Sequence, residues 1–313
     1  MRFLAAVVAS VALPSGGIWS SVVPAGGNVV AWGIASPGSG CIWLTVDPRS
    51  LSARRARGAC ATPEKEAYGI APAVVHNPKS FRSTIWVGGK VAFRYGDYSD
   101  TKPVWAYGGG SLWLYDVATT SGPLLLRYSL ASGALEQRVR MPKLFRPVLA
   151  ADADGAWLMA DPSGGVSGQS VASLYLVRPG ATAPTVVERD GRAALWIVAN
   201  RHTVWVETIT GNTAFSLWRF VGTRGKVLHR GNHVDVYAPA YGAGGLWGWG
   251  STAPCGGRLP VTRIDGRTGA ARVVVRVPRL GGCSEPAGEL YAGGAFWFVN
   301  GPRLFRVIPG RGG

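Results

Sequence analysis

The sequence is short of acid and of histidine, and beyond its first residues it has no apolar run long enough to cross a bilayer as a helix. Seventeen Asp and Glu stand against 33 Lys and Arg, a formal net charge of +16, and only four His and four Cys occur in 313 residues. A membrane helix needs about 20 consecutive apolar residues, so no internal membrane span is expected. No two Cys form a C-x-x-C pair, which argues against a zinc site. The chain has no P-loop, no G-x-S-x-G elbow and no H-E-x-x-H pair. Its Gly-rich stretch GVSGQSV (165–171) lies between strand-like segments with no helix to follow, so it is no phosphate cradle. Helix-turn-helix, RNP-like and zinc-finger patterns are missing too, so a nucleic-acid partner is not expected.

Glycine and tryptophan are plentiful. The 45 Gly, 13 Trp and 47% hydrophobic residues describe a turn-rich globular chain with large side chains to bury. One pattern returns five times: GGGSLWLYD (108–116), DGAWLMAD (154–161), HTVWVETI (202–209), GGLWGWGS (244–251) and GGAFWFVNG (293–301). The central Trp residues stand at 113, 157, 205, 247 and 297, at intervals of 44, 48, 42 and 50. A period in the forties built from short strands is the mark of a β-propeller. Between the Trp strands lie hairpins such as LLLRYSLASGALEQRVRMP (124–142) and LPVTRIDGRTGAARVVVRVP (259–278), whose Gly-containing tips accept the backbone that tight turns need.

The expected fold is all-β: a single propeller over residues 14–313 with seven four-stranded blades, or six, its ring closed by N- and C-terminal strands. The Trp strand is read as the first and innermost of each blade. RAALWIVAN (192–200) and VDVYAPAYG (234–242) are read as fourth strands, and GGIWSSVVP, from about residue 14 to 25, as the segment that completes the last blade.

The N-terminus, MRFLAAVVASVAL, has one Arg and an apolar stretch, like a secretory signal peptide over residues 1–13; Ser10-Val11-Ala12 and Val23-Pro24-Ala25 both fit a small-residue cleavage rule, the first suiting the fold better. The alternative is an apolar strand of the fold. An even cysteine count fits an oxidising compartment. Cys41 with Cys60, and Cys255 with Cys283, each flank a second-and-third-strand hairpin in equivalent units, so each pair would close the open end of one hairpin by a disulfide. The chain is therefore expected to be secreted or extracytoplasmic, attached to the cell envelope or outside it.

Candidate functional residues are few. Asp116, Asp161, Glu207, Trp249 and Asn300 end the Trp strands and would converge at one end of the channel, where a polar ligand or a divalent cation could sit; turn capping is the plainer reading. His202 opens a strand at a blade junction. His233 has Asp235 nearby as an acid–base partner, while its spacing from His229 is not that of a helical metal pair. Arg54, Arg55 and Arg57 make the densest basic cluster. They suit an anionic polymer or a charged, unsticky strand edge.

The units GGSLWLYD…LLRYSLASGALEQRVRMP and GGLWGWGS…VTRIDGRTGAARVVVRVP resemble the repeats of the YVTN, NHL and streptogramin-lyase-like bacterial β-propellers, over most of residues 26–310. That resemblance implies the fold and leaves function open, because the architecture hosts lyases, quinone enzymes and binding modules alike. Its lyases are metal-assisted and use a catalytic His with acidic and His partners. No local motif here transfers such a residue, so no catalytic residue is assigned. The leading expectation is a monomeric, non-enzymatic binding or scaffolding module without a cofactor, its partner a protein or an anionic envelope polymer. A metal-dependent lyase or hydrolase is the alternative, and a sensor ectodomain a further one.

Overall fold

The computed structural model describes residues 6–310 apart from 16, 26, 36–40, 59–72, 78–81, 88–89, 97–102, 118–121, 162–172, 190–192, 211–213, 232–235, 251–256 and 283–285. Its regular elements are strands. β1 (Val7–Ala12) comes first. β2 (Gly17–Ala25), β3 (Asn28–Ala35), β4 (Cys41–Val46) and β5 (Ala53–Gly58) form one four-stranded sheet in chain order. β6 (Ala73–Asn77), β7 (Arg82–Val87) and β8 (Lys90–Gly96) form a three-stranded one. The next sheets are β9 (Val104–Gly108) to β12 (Leu135–Arg140) through β10 (Ser111–Asp116) and β11 (Leu124–Ser129), then β13 (Phe145–Asp152), β14 (Gly155–Asp161), β15 (Ser173–Val177) and β16 (Thr185–Arg189). β17 (Ala193–Asn200), β18 (Thr203–Thr210), β19 (Ala214–Val221) and β20 (Arg224–Gly231) follow, then β21 (Tyr237–Gly242), β22 (Gly245–Trp249), β23 (Arg258–Asp265) and β24 (Ala271–Pro278). The seventh sheet joins β25 (Ala287–Ala292), β26 (Ala295–Asn300) and β27 (Arg303–Ile308) to β1. Seven antiparallel sheets in this meander are a seven-bladed β-propeller, which decides the blade count. The chain divides into two compact units, one of residues 1–69 and 235–313, the other of 70–234.

The strand assignment differs from the sequence reading by one place. The Trp strand is the second strand of its sheet, and the segment read as the preceding fourth strand is the first. Asn200 pairs with Thr203 and Gly242 with Gly245, so the tight tips lie within sheets, joining first strand to second. In the second unit β9 and β17 each pack against β13; in the first, β2 and β21 pack against β25. First strands are thus the inner edges. Fourth strands such as β5, β20 and β24 are mostly exposed and form the outer edges.

The closing segment also differs. Gly17–Ala25 is the first strand of its own sheet, paired with β3 through Ala25 and Asn28. The strand that completes the last sheet is β1, which runs antiparallel to β27 from Val7 opposite Ile308 to Ala12 opposite Arg303. Ser10 Oγ accepts from Arg303 Nε at 2.8 Å, Leu13 N donates to Pro302 O at 2.9 Å, and Leu13 is buried in the core. The propeller strands therefore begin at Val7, within the leader-like segment. Cleavage after Ala12 and a four-stranded last sheet are mutually exclusive.

Trp113, Trp157, Trp205, Trp247 and Trp297 are all buried. Trp113 packs with Leu125 and Val139 of its own sheet and with Ala156 and Leu158 of the next; Trp157 meets Val204 and Val206 in the same way. Across the strand an Arg of the third strand covers the ring. Arg127 lies over Trp113 (5.6 Å), Arg263 over Trp247 (5.9 Å) and Arg306 over Trp297 (5.7 Å). These three arginines thus serve the blades, each as a flat cation on an aromatic face.

Candidate functional site

The five strand-end residues sit on second strands and are spread over both units. Relative to the central Trp, Glu207 and Trp249 stand two residues on, Asp116 and Asn300 three, and Asp161 four. Strand side chains alternate between faces, so these positions do not share one face of their sheets. Asp116, Glu207, Trp249 and Asn300 are buried; the side chain of Asp161 lies outside the described residues. Asn300 clasps the chain leaving β24: its Nδ2 donates to Pro278 O at 2.7 Å and its Oδ1 accepts from Leu280 N at 3.1 Å. Trp249 Nε1 donates to Glu289 Oε1 at 2.6 Å. Among the described residues no group of three His, Cys, Asp or Glu is placed to hold a metal ion. His233 and Asp235 lie outside the described residues. His229 is exposed on β20, opposite Leu217.

His202 forms a pair between two sheets. Its Nδ1 lies 2.5 Å from Asp154 Oδ2, tying the tip between β17 and β18 to the tip between β13 and β14. The imidazole is 78% exposed and the carboxylate 25%. Arg201 beside it adopts φ 51°, a left-handed backbone that costs a residue other than glycine about 1–2 kcal/mol. Under this pair lies Asp152, only 7% exposed. Its Oδ1 accepts from Asp154 N at 2.9 Å, while its Oδ2 is buried with no hydrogen-bond partner. Burial pushes the Asp152 carboxyl up from 3.8 to about 6; the neighbouring Asp154 carboxylate adds to the rise, and the amides of Asp154 and Gly155 together with His202 oppose it.

The tip between β9 and β10 packs against the same place. A Cβ on Gly108 would lie 2.3 Å from Ala151 C and Asp152 N, so only glycine fits there, and Gly109 at φ +57° stands against Asp152 O and Ala153. The glycines of GGGSLWLYD are there for turn and contact. Asp152 and Asp154 were not singled out from the sequence. The signal was present: Asp154 and His202 each stand three residues before their Trp, so aligning the repeats places them at equivalent tips.

Charge collects on the outer edges. Arg54, Arg55 and Arg57 on β5, Arg138 and Arg140 on β12, Arg224, Lys226 and Arg230 on β20, and Arg272 and Arg276 on β24 are all exposed. β5, β20 and β24 contain no acid at all. Cys41, at the start of β4 opposite Gly58 of β5, is in a disulfide. Cys60, Cys255 and Cys283 lie outside the described residues.

No protein-family model and no curated protein matches the chain. Solved structures share its fold. A catalytically inactive virginiamycin B lyase from Staphylococcus aureus with quinupristin aligns over 97% of this chain and 99% of its own, at 14% identity and a TM-score of 0.60. The β-propeller domain of the Trilobed protease from Pyrococcus furiosus, described as having an open velcro topology, aligns over 95% and 94%, at 10% identity and 0.61. A chain of the mitotic checkpoint complex aligns over 99% and 96%, at 9% identity and 0.56. At these identities the likeness is one of fold. It joins lyase, protease and assembly proteins, in keeping with the resemblance read from the repeats.

Proposed function

We propose that the chain is a non-enzymatic binding propeller of the bacterial cell envelope or exterior that holds an anionic polymer on its basic outer strands. The observation that carries this reading is the Arg and Lys exposed on β5, β12, β20 and β24, strands on which Glu136 is the one acid. On a strand, residues two apart share a face and lie about 7 Å from each other. Arg55 with Arg57, Arg138 with Arg140, and Arg224 with Lys226 have that spacing, and it suits a chain of repeated negative charges. An extracytoplasmic setting is part of the proposal. It draws on the leader-like start, the even cysteine count, and pairing of Cys41 with Cys60 and Cys255 with Cys283. If the chain is exported and keeps β1, its first strand stays with the mature protein.

The test is a titration of the oxidised full chain with a fluorescent linear polyphosphate, an anionic glycan and neutral dextran, at several salt concentrations. Binding to the polyanions that weakens steeply with salt, spares dextran, and falls at least tenfold in an Arg54→Glu/Arg55→Glu/Arg57→Glu variant supports the proposal. Equal binding by variant and wild type counts against this surface.

The second reading is a lyase or hydrolase of the streptogramin-lyase type. The His202–Asp154 pair above a buried carboxyl favours it, since a carboxylate that orients an imidazole prepares it for proton transfer. Linearisation of quinupristin with a divalent cation added, abolished by His202→Ala, would put this reading first.

A further inference from the structure

Six sheets join their first strand to their second through a two-residue tip, and four of these tips end in glycine. Gly27, Gly110, Gly244 and Gly294 hold φ between +71° and +86° there. The two exceptions are neighbours. Asp154 takes that place on the β13–β14 tip and His202 on the β17–β18 tip, and their side chains meet, Nδ1 to Oδ2 at 2.5 Å. The residue before the tip follows the same division. It is Ala25, Gly108, Gly242 or Ala292 at the four glycine tips, and Asp152 and Asn200 at the other two. A turn needs none of these side chains, so the departure from the repeat at two adjoining tips asks for another use. Asp154 and His202 are the charged groups that act on the buried Asp152 carboxyl. The other ionisable residues beside it on the elements that meet there are Tyr107 of β9, Arg178 after β15, and Arg201. Tyrosine and arginine are residue types that keep their charge between about pH 5 and pH 8.

We propose that the Asp154–His202 pair is a pH-operated clasp between the β13–β14 and β17–β18 tips, with Asp152 as the buried group that drives it open. In acid, an imidazolium at His202 meets the Asp154 carboxylate while Asp152 is neutral. One positive and one negative charge then hold the tips together. As pH rises the imidazole gives up its proton, in the range where histidine as a residue type does so, and Asp152 ionises through about 6. The same three groups now carry two negative charges and no positive one. Both titrations act in one direction, so the clasp is shut in acid and opens as pH rises. An exposed ion pair alone contributes little. The amplitude comes from Asp152, whose Oδ2 is buried with no hydrogen-bond partner: an ionised carboxylate there has to find water. The tip that yields is β17–β18, because its imidazole is the exposed half of the pair. This goes beyond the polymer-binding reading, which uses none of these residues.

Amide hydrogen exchange of the oxidised full chain at pH 5 and pH 8, each rate divided by the intrinsic rate at that pH, tests this. Gly222 N donates to His202 O at 3.0 Å and reports on the β17–β18 tip; Leu130 N donates to Gly110 O at 3.0 Å and is the same bond on a glycine tip. Protection of Gly222 should fall about tenfold from pH 5 to pH 8, while that of Leu130 stays within about twofold. Asp152→Asn should keep Gly222 protected at both pH values. His202→Gly installs the residue of the four other tips, so the turn survives. It should show at pH 5 the low protection that the wild type shows at pH 8. Equal protection of Gly222 at the two pH values, a parallel fall at Leu130, a fall that persists in Asp152→Asn, or a His202→Gly tip as protected as wild type at pH 5 overturns the proposal. Polyanion affinity should be the same in both variants as in the wild type, so this reading and the polymer-binding one fail separately.

Discussion

Asp152 holds its carboxyl where water barely reaches, and that should be visible in the pH dependence of stability. Its folded value of about 6 lies above the ordinary 3.8, so the folded protein favours the neutral form. The stability this confers is complete below the ordinary value and is lost as pH rises through about 6. An Asp152→Asn variant keeps an oxygen for the Asp154 amide and has no charge to bury. Between about pH 4 and pH 8 the wild type should lose up to ~3 kcal/mol relative to the variant. Urea unfolding at the two pH values measures it; parallel curves would mean that Asp152 ionises without penalty. This residue was hard to see in the sequence because an Asp-x-Asp-Gly turn looks the same whether its first carboxylate is capped in solvent or sealed under a neighbouring tip. Gly108 of another repeat stands against the backbone of Ala151 and Asp152, a contact between two repeats.

At the scale of the strand, the repeated unit is the Trp of a second strand covered by an Arg of the third. Arg127 shows its parts: the guanidinium lies over Trp113, Nε donates to Ser111 Oγ at 2.8 Å, and Nη2 is 3.3 Å from Glu136. Arg127→Leu should cost about 1–2 kcal/mol, from a half-buried cation–π contact and a lost hydrogen bond to a buried hydroxyl. Arg127→Lys should recover little of it, because an ammonium lacks the planar fork. Urea midpoints of the two variants decide; full rescue by Lys would mean that charge alone matters. The Trp spacing made the sheets legible, yet the strand assignment slipped by one. Reading the Trp strand as the first of its blade puts the Gly-Gly tips at blade boundaries. A two-residue turn can join only strands that pair with each other, so those tips had to lie inside a sheet. The link from β12 to β13, Met141–Leu144, is longer and is anchored by Tyr115, whose hydroxyl donates to Pro142 O and accepts from Leu144 N. The strand-end candidates stand at different offsets from their Trp, and a one-residue offset turns a side chain to the other side of its sheet.

For the whole molecule, the balance of charge separates two kinds of arginine that the sequence lumps together. Those on third strands, such as Arg127, Arg263 and Arg306, lie against aromatic rings. Those on β5, β20 and β24 face solvent on strands with no acid. Only the second kind repel one another across water, and a net +16 means that few acids are at hand to offset them. Folding gathers these charges into a smaller volume than the unfolded chain occupies, so the repulsion opposes the folded state. Screening should relieve it: the melting temperature should rise by a few degrees as sodium chloride goes from a few millimolar to about 0.3 M, where the Debye length has fallen to several ångström. The triple substitution of Arg54, Arg55 and Arg57 by Glu should flatten that rise. A melting temperature that falls with salt would mean instead that the exposed cations are held in favourable pairs, and a surface already satisfied in that way would have little charge left to offer a polymer.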